Sequence, residues 1–113
     1  MRKDKRLNDR RMTESSGNVF ADLGLPNAEE ELFKAQLIWQ ISDAIAAQNL
    51  TQVRAAELLG LKQPDVSDLI NGKTYRFSTD RLLRLLNRLG KDVKITVKSK
   101  PRSRRARMTV EAA

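Results

Sequence analysis

The amino-acid sequence predicts an all-α fold of five helices, closed by a short C-terminal β-strand that pairs between chains. Three observations carry this. From residue 27 to residue 90, apolar residues recur at three- and four-residue intervals, the spacing of one helix face. Thr51 and Ser78 stand where helix N-caps are wanted, and Gly60, Gly72 and Gly90 stand where helices end. Beyond Gly90 the period changes from helical to alternating. Aromatic residues make up only 4% of the 113, so the core has to be built from Leu, Ile, Val and Ala.

Residues 1–18 are basic and nearly free of apolar side chains, too little to offset the entropy of ordering a backbone, and are expected to be a disordered arm. Arg2, Lys3, Lys5, Arg6, Arg10 and Arg11 could follow phosphates from there, or be solvated. Residues 19–26 are an apolar N-terminal segment, within the run NVFADLGLP from Asn18 to Pro26. A single helical turn ended by Gly24 would put Phe20 and Leu23 on one face. That face packs on its own domain or a sister subunit, or docks onto a different protein with Phe20 as anchor.

Asn27 and Glu30 have the spacing of a capping box, and Glu29, Glu30 and Glu31 suit the positive end of the helix they open. Adjacent carboxylates diverge by about 100 degrees on a helix and cannot converge on one ion. This helix is expected to run to about Asn49, with Phe33, Leu37, Ile41 and Ile45 as its inward stripe, flanked by Ile38 and Ala44. Trp39 lies off the stripe, either packed under the N-terminal segment or covering an interface.

Two short helices follow in LTQVRAAELLGLKQPDVSDLINGK, Leu50 to Lys73. The first starts after Thr51 and breaks at Gly60. The second begins near Gln63, tolerates Pro64 in its first turn, and closes at Asn71 and Gly72. Ala56, Gly60 and Val66 are spaced as a helix-turn-helix requires: a small residue at the crossing, a glycine in the turn, an aliphatic anchor on the second helix. Ser78 then caps a last helix whose Leu82, Leu83, Leu86 and Leu89 face the core. In KDVKITVK, Val93, Ile95 and Val97 point one way and Lys94, Thr96 and Lys98 the other, the pattern of a half-buried strand. No second strand is in sight, so the partner has to come from another chain. A symmetric dimer is the economical solution, with Val93, Ile95 and Val97 as its contact; pairing with another protein's sheet and a frayed extension are the alternatives. The organisation is completed by a helix-turn-helix domain with its strand over residues 27–98 and a disordered basic tail over 99–113, whose Lys100, Arg102, Arg104, Arg105 and Arg107 could add sequence-independent phosphate affinity.

The stretch resembles the Xre/Cro/C1 family of helix-turn-helix regulators, whose domain is lambda-repressor-like. The matching residues are Leu50-Thr51-Gln52, Ala56, Leu59-Gly60, Gln63, Val66-Ser67 and Asn71-Gly72-Lys73. The resemblance implies a DNA-binding transcriptional regulator, a repressor acting as a dimer. It also implies a role for Gln52, at a family position that contacts phosphate and braces the glutamine of the recognition helix. The overall plan is similar to antitoxins of the HigA type, which repress their own operon and bind a partner toxin.

In the docking mode of such motifs the second helix lies in the major groove with its N-terminal residues at the base edges. Gln63 is then the best base reader, since its amide can pair bidentately with adenine N6 and N7, and Ser67 is next, one turn later. Lys62 also faces outward, with Val66, Leu69 and Ile70 inward, and Asn71, Lys73, Tyr75 and Arg76 would reach the DNA backbone. Asp65 and Asp68 depart from a comfortable DNA face, and are expected at the groove edge or paired with Arg54 or Lys62.

Composition agrees with a polyanionic partner: 22 Lys and Arg against 14 Asp and Glu give a net charge of +8, and the pI is about 10.3. With no Cys and no His, disulfides, thiol nucleophiles and the commonest general base and metal ligand are excluded, and no catalytic residue, metal or cofactor is expected. There is neither an apolar run long enough to span a membrane nor a signal-peptide pattern, which points to the cytoplasm. A second class of function stays open, a protein-binding adaptor whose helix-turn-helix does not read DNA.

Overall fold

Four α-helices form among the residues that the computed structural model describes, which are Leu23, Gly24 and 27–112. They are α1 Ala28–Ala47, α2 Gln52–Leu59, α3 Gln63–Ile70 and α4 Thr79–Arg88, with a 3-10 turn at Thr74–Arg76 between the last two. By its internal packing the chain divides into two units, residues 1–32 and 33–113, and the second holds the core.

Local chemistry sets the helix limits. The Thr51 hydroxyl accepts from the Arg54 N–H at 3.1 Å and the Ser78 hydroxyl from the Arg81 N–H at 3.2 Å, so α2 and α4 begin where their caps stand. All four helices end in one pattern, in which an N–H beyond a left-handed residue closes back on a carbonyl of the last turn. The donors are Leu50 to Ile45 (3.1 Å), Leu61 to Ala56 (2.9 Å), Lys73 to Asp68 (3.0 Å) and Lys91 to Leu86 (3.0 Å). A glycine takes the left-handed place at three of these ends. At the end of α1 it falls to Asn49, φ +56, one of the few residues that tolerates it.

The core is one aliphatic cluster. Leu37, Ile38, Ile41, Ala44 and Ile45 come from α1, Ala55, Ala56 and Leu59 from α2, Val66 and Leu69 from α3, and Leu82, Leu85 and Leu86 from α4, with Phe77 and Leu89 beside them. Ile41, Val66, Leu69 and Leu82 are fully enclosed. The Gln48 side chain donates to the Leu89 carbonyl at 2.9 Å, tying the end of α1 to the end of α4.

The structure corrects the expected fold in several places. Residues 93–97 form no strand: alternation becomes a strand only where a second backbone supplies the ladder, and no other described segment does. The pairing between chains through that strand falls with it. Nor are there five helices among the described residues. The single helical turn expected around Phe20 lies outside them apart from Leu23 and Gly24, and those two lie in a turn. Asn27 has φ +57, a left-handed residue rather than the extended one a capping box needs. Ile70, expected inside, is exposed, while Leu85 is buried and Leu83 only partly so. Trp39 remains 55% exposed.

Candidate nucleic-acid interface

The helix-turn-helix geometry rests on three residues. Ala56 and Val66 are buried where α2 meets α3, and Gly60 turns the chain between them at φ +70. With Val66 and Leu69 locked into the core, the opposite side of α3 is committed to solvent. Its first residue, Gln63, is exposed, and so are Lys62 before it and Gln52 at the start of α2. Ser67, half-buried, accepts a long hydrogen bond from the Asn71 amide at 3.5 Å, so the hydroxyl is partly occupied from within its own helix. Tyr75 projects from the 3-10 turn and is largely exposed.

The two aspartates of α3 find partners that spacing along the chain did not point to. One guanidinium nitrogen of Arg76 donates to Asp65 at 3.1 Å, and the other donates to Asp68. Lys73 Nζ lies 3.3 Å from the second oxygen of Asp68. The expected partners, Arg54 and Lys62, are not used: Arg54 pairs with Glu57 at 3.6 Å. Two cations expected at the DNA backbone are therefore engaged by carboxylates of the recognition helix itself. They lie close to that helix, and each meets a phosphate only by sharing or exchanging its partner.

The loop that carries Tyr75 and Arg76 is held from below by a residue the sequence left unremarked. Lys34 of α1 is buried and donates through Nζ to the carbonyls of Phe77 (3.1 Å) and Thr74 (3.4 Å). A buried ammonium needs such acceptors, and these two bracket the 3-10 turn, which fixes its height above the core. Arg81 stacks over the Phe77 ring, 5.2 Å from its centre, and closes the far side of the loop.

A family model described as a helix-turn-helix domain matches residues 19–98, well over half of the chain. A solved structure assigned to the XRE family of transcriptional regulators is 46% identical, with a TM-score of 0.74, and the match covers 78% of this chain and 100% of that one. The chain belongs to the XRE family of helix-turn-helix transcriptional regulators. No curated protein matches it in sequence.

In this XRE regulator the fold thus brings Gln52, Lys62, Gln63, Ser67, Asn71, Lys73, Tyr75 and Arg76 onto the motif and the loop that follows it. Val93, Ile95 and Val97 are not part of that group; they stand on the irregular chain after α4, with Ile95 at 74% and Val97 at 90% exposure. Among the described residues no group of His, Cys, Asp or Glu gathers in a way that could hold a metal ion, and no helix is long and apolar enough to cross a membrane. Lys34 and the Arg76 cluster are what sequence reasoning missed. The one available signal for Lys34 was its place next to Phe33 and Leu37 on the inward side of α1.

Proposed function

We propose that this XRE regulator is a dimeric repressor that reads a specific operator, that of its own operon, through the exposed N-terminal end of α3. One observation carries the reading: Gln63 stands exposed at the head of the recognition helix, while the carboxylates of that helix, which would otherwise repel phosphate, are neutralised by Arg76 and Lys73. The amide is then the first group of α3 to meet a base edge, Gln52 is its brace, and Lys62, Asn71 and Tyr75 serve the backbone around it. The alternative, an adaptor that does not read DNA, had Asp65 and Asp68 as its sole support, and their pairing with Arg76 and Lys73 speaks against it.

The dimer contact in this reading is made by the exposed apolar side chains of Val93, Ile95 and Val97 without a shared strand. A two-fold operator would match it. The similarity of the overall plan to antitoxins of the HigA type adds a partner toxin, held by Phe20 and Leu23 of the apolar N-terminal segment; residues 20–22 lie outside the described part of the chain, but inside the family match. Gln63→Ala is the test of the reading head. It should flatten the base preference at one position of the site and weaken binding there by about 1 to 3 kcal/mol. A preference profile identical to wild type would refute the assignment.

A further inference from the structure

The described helices and the turns between them hold none of this protein's net positive charge. Residues 27–90, which contain the four described α-helices, carry eight Lys or Arg and eight Asp or Glu. Within the motif and its loop, residues 50–78, four cations face three carboxylates, and Lys73 and Arg76 are already paired. Affinity for duplex DNA comes largely from Lys and Arg that displace counterions from phosphates. A neutral helical domain is poorly equipped for that part of the task.

The C-terminal segment is well equipped. Residues 98–107 contain Lys98, Lys100, Arg102, Arg104, Arg105 and Arg107 and no acid. Among the described residues no ion pair joins any of the six to a carboxylate, and the side-chain bonds they make are local, Lys100 to the Pro101 carbonyl and Arg104 to that of Arg105. All but Arg104 are exposed.

Nor does this segment hang free. It leaves the domain after Gly90 and returns at Val110, which packs against the hydrophobic core. The basic run is held at both ends, so its cations stay beside the domain, and less conformational freedom is left to lose when they meet a ligand.

We propose that residues 98–107 form a tethered strap that binds the phosphate backbone of duplex DNA, with Val110 as its anchor. The proposal rests on the DNA-binding reading above and adds, to the backbone contacts of Lys62, Asn71 and Tyr75, a sequence-independent share of the affinity from residues outside the motif. The dimer contact at Val93, Ile95 and Val97 lies on a different part of the same segment.

The test compares three full-length proteins on a scrambled duplex titrated from low to moderate salt: wild type, a K98Q/K100Q/R102Q/R105Q variant, and Val110→Ser. The glutamine variant touches nothing in the core. Its plot of log affinity against log salt should be shallower by about 2 to 4, since each lost phosphate contact removes about 0.9 from the slope. Its base-preference profile should match wild type. Val110→Ser keeps every charge and should bind the same duplex roughly threefold to tenfold more weakly at fixed salt, the equivalent of ordering one or two more side chains. An unchanged slope in the glutamine variant would overturn the strap, as would a slope change seen with single-stranded RNA and not with duplex. Unchanged affinity in Val110→Ser, folded by circular dichroism, would overturn the anchor. Failure of the operator reading would look different: a flat base preference in the wild type, whatever the slopes.

Discussion

Replacing Asp68 with Asn removes one carboxylate from the recognition helix while keeping its shape. Asp68 is the only described acid paired with Lys73, and shares Arg76 with Asp65. Its own side chain is 17% exposed, but the two cations are nearly half exposed, so solvent screens both pairs and the change should cost no more than about 1 kcal/mol of stability. For a domain of this size that is a melting shift of at most about 4 to 8 °C. The effect on DNA should be the reverse. Lys73 loses its partner and becomes available to a phosphate, whereas Arg76 keeps Asp65 at 3.1 Å. One additional contact should steepen the salt dependence on a scrambled duplex by about 1 and raise affinity at low salt on the order of tenfold. Fluorescence anisotropy over a salt series measures both, with a thermal melt as the control for folding. Weaker binding by a variant that melts normally would refute the reasoning, because it would mean that Asp68 aims Arg76 at the DNA and does not restrain it.

Gly60→Ala tests the motif turn. The added Cβ would lie 3.4 Å from the flexible tip of Arg88, an ordinary contact, so the cost is that of the left-handed backbone at φ +70, about 1 to 2 kcal/mol. The melting temperature should fall by several degrees, and an unchanged melt would rule out a left-handed turn there. Ile95→Ser tests the dimer contact. With Ile95 74% exposed, the fold should be unaffected, while sedimentation should shift from dimer towards monomer; an unchanged distribution would remove Ile95 from the interface.

The motif was legible because its signals are local. Thr51, Gly60, Pro64 and Ser78 act within one turn of where they stand, so a cap or a stop can be read from the neighbouring residues. The α1 stripe was legible too, since Leu37, Ile41 and Ile45 repeat at the helical period. Local signals also explain the errors. Alternation at Val93, Ile95 and Val97 states which side chains share a face, and says nothing about whether a second strand exists to bond the backbone. Asn27 has the right side chain for a cap and the wrong backbone angle, which no spacing rule reports.

Contacts distant in sequence were out of reach. Arg76 meets Asp65 across eleven positions, and Lys34 meets Phe77 across 43, so neither pairing can be found from helix periodicity. A lysine beside an apolar stripe reads as solvent-facing unless carbonyl acceptors are known to wait for it. Val110 is similar: in an apolar-poor stretch it gives no pattern of its own, and its value as an anchor depends on where the chain has travelled since Gly90.

The most direct test of the central claim is a binding titration on the DNA upstream of the protein's own gene, set against a scrambled duplex of equal length, at salt high enough to weaken the basic segments. If the amide of Gln63 reads bases, through hydrogen bonds that salt does not screen away, preference for the native duplex survives. Equal binding to both duplexes, collapsing together as salt rises, would contradict it.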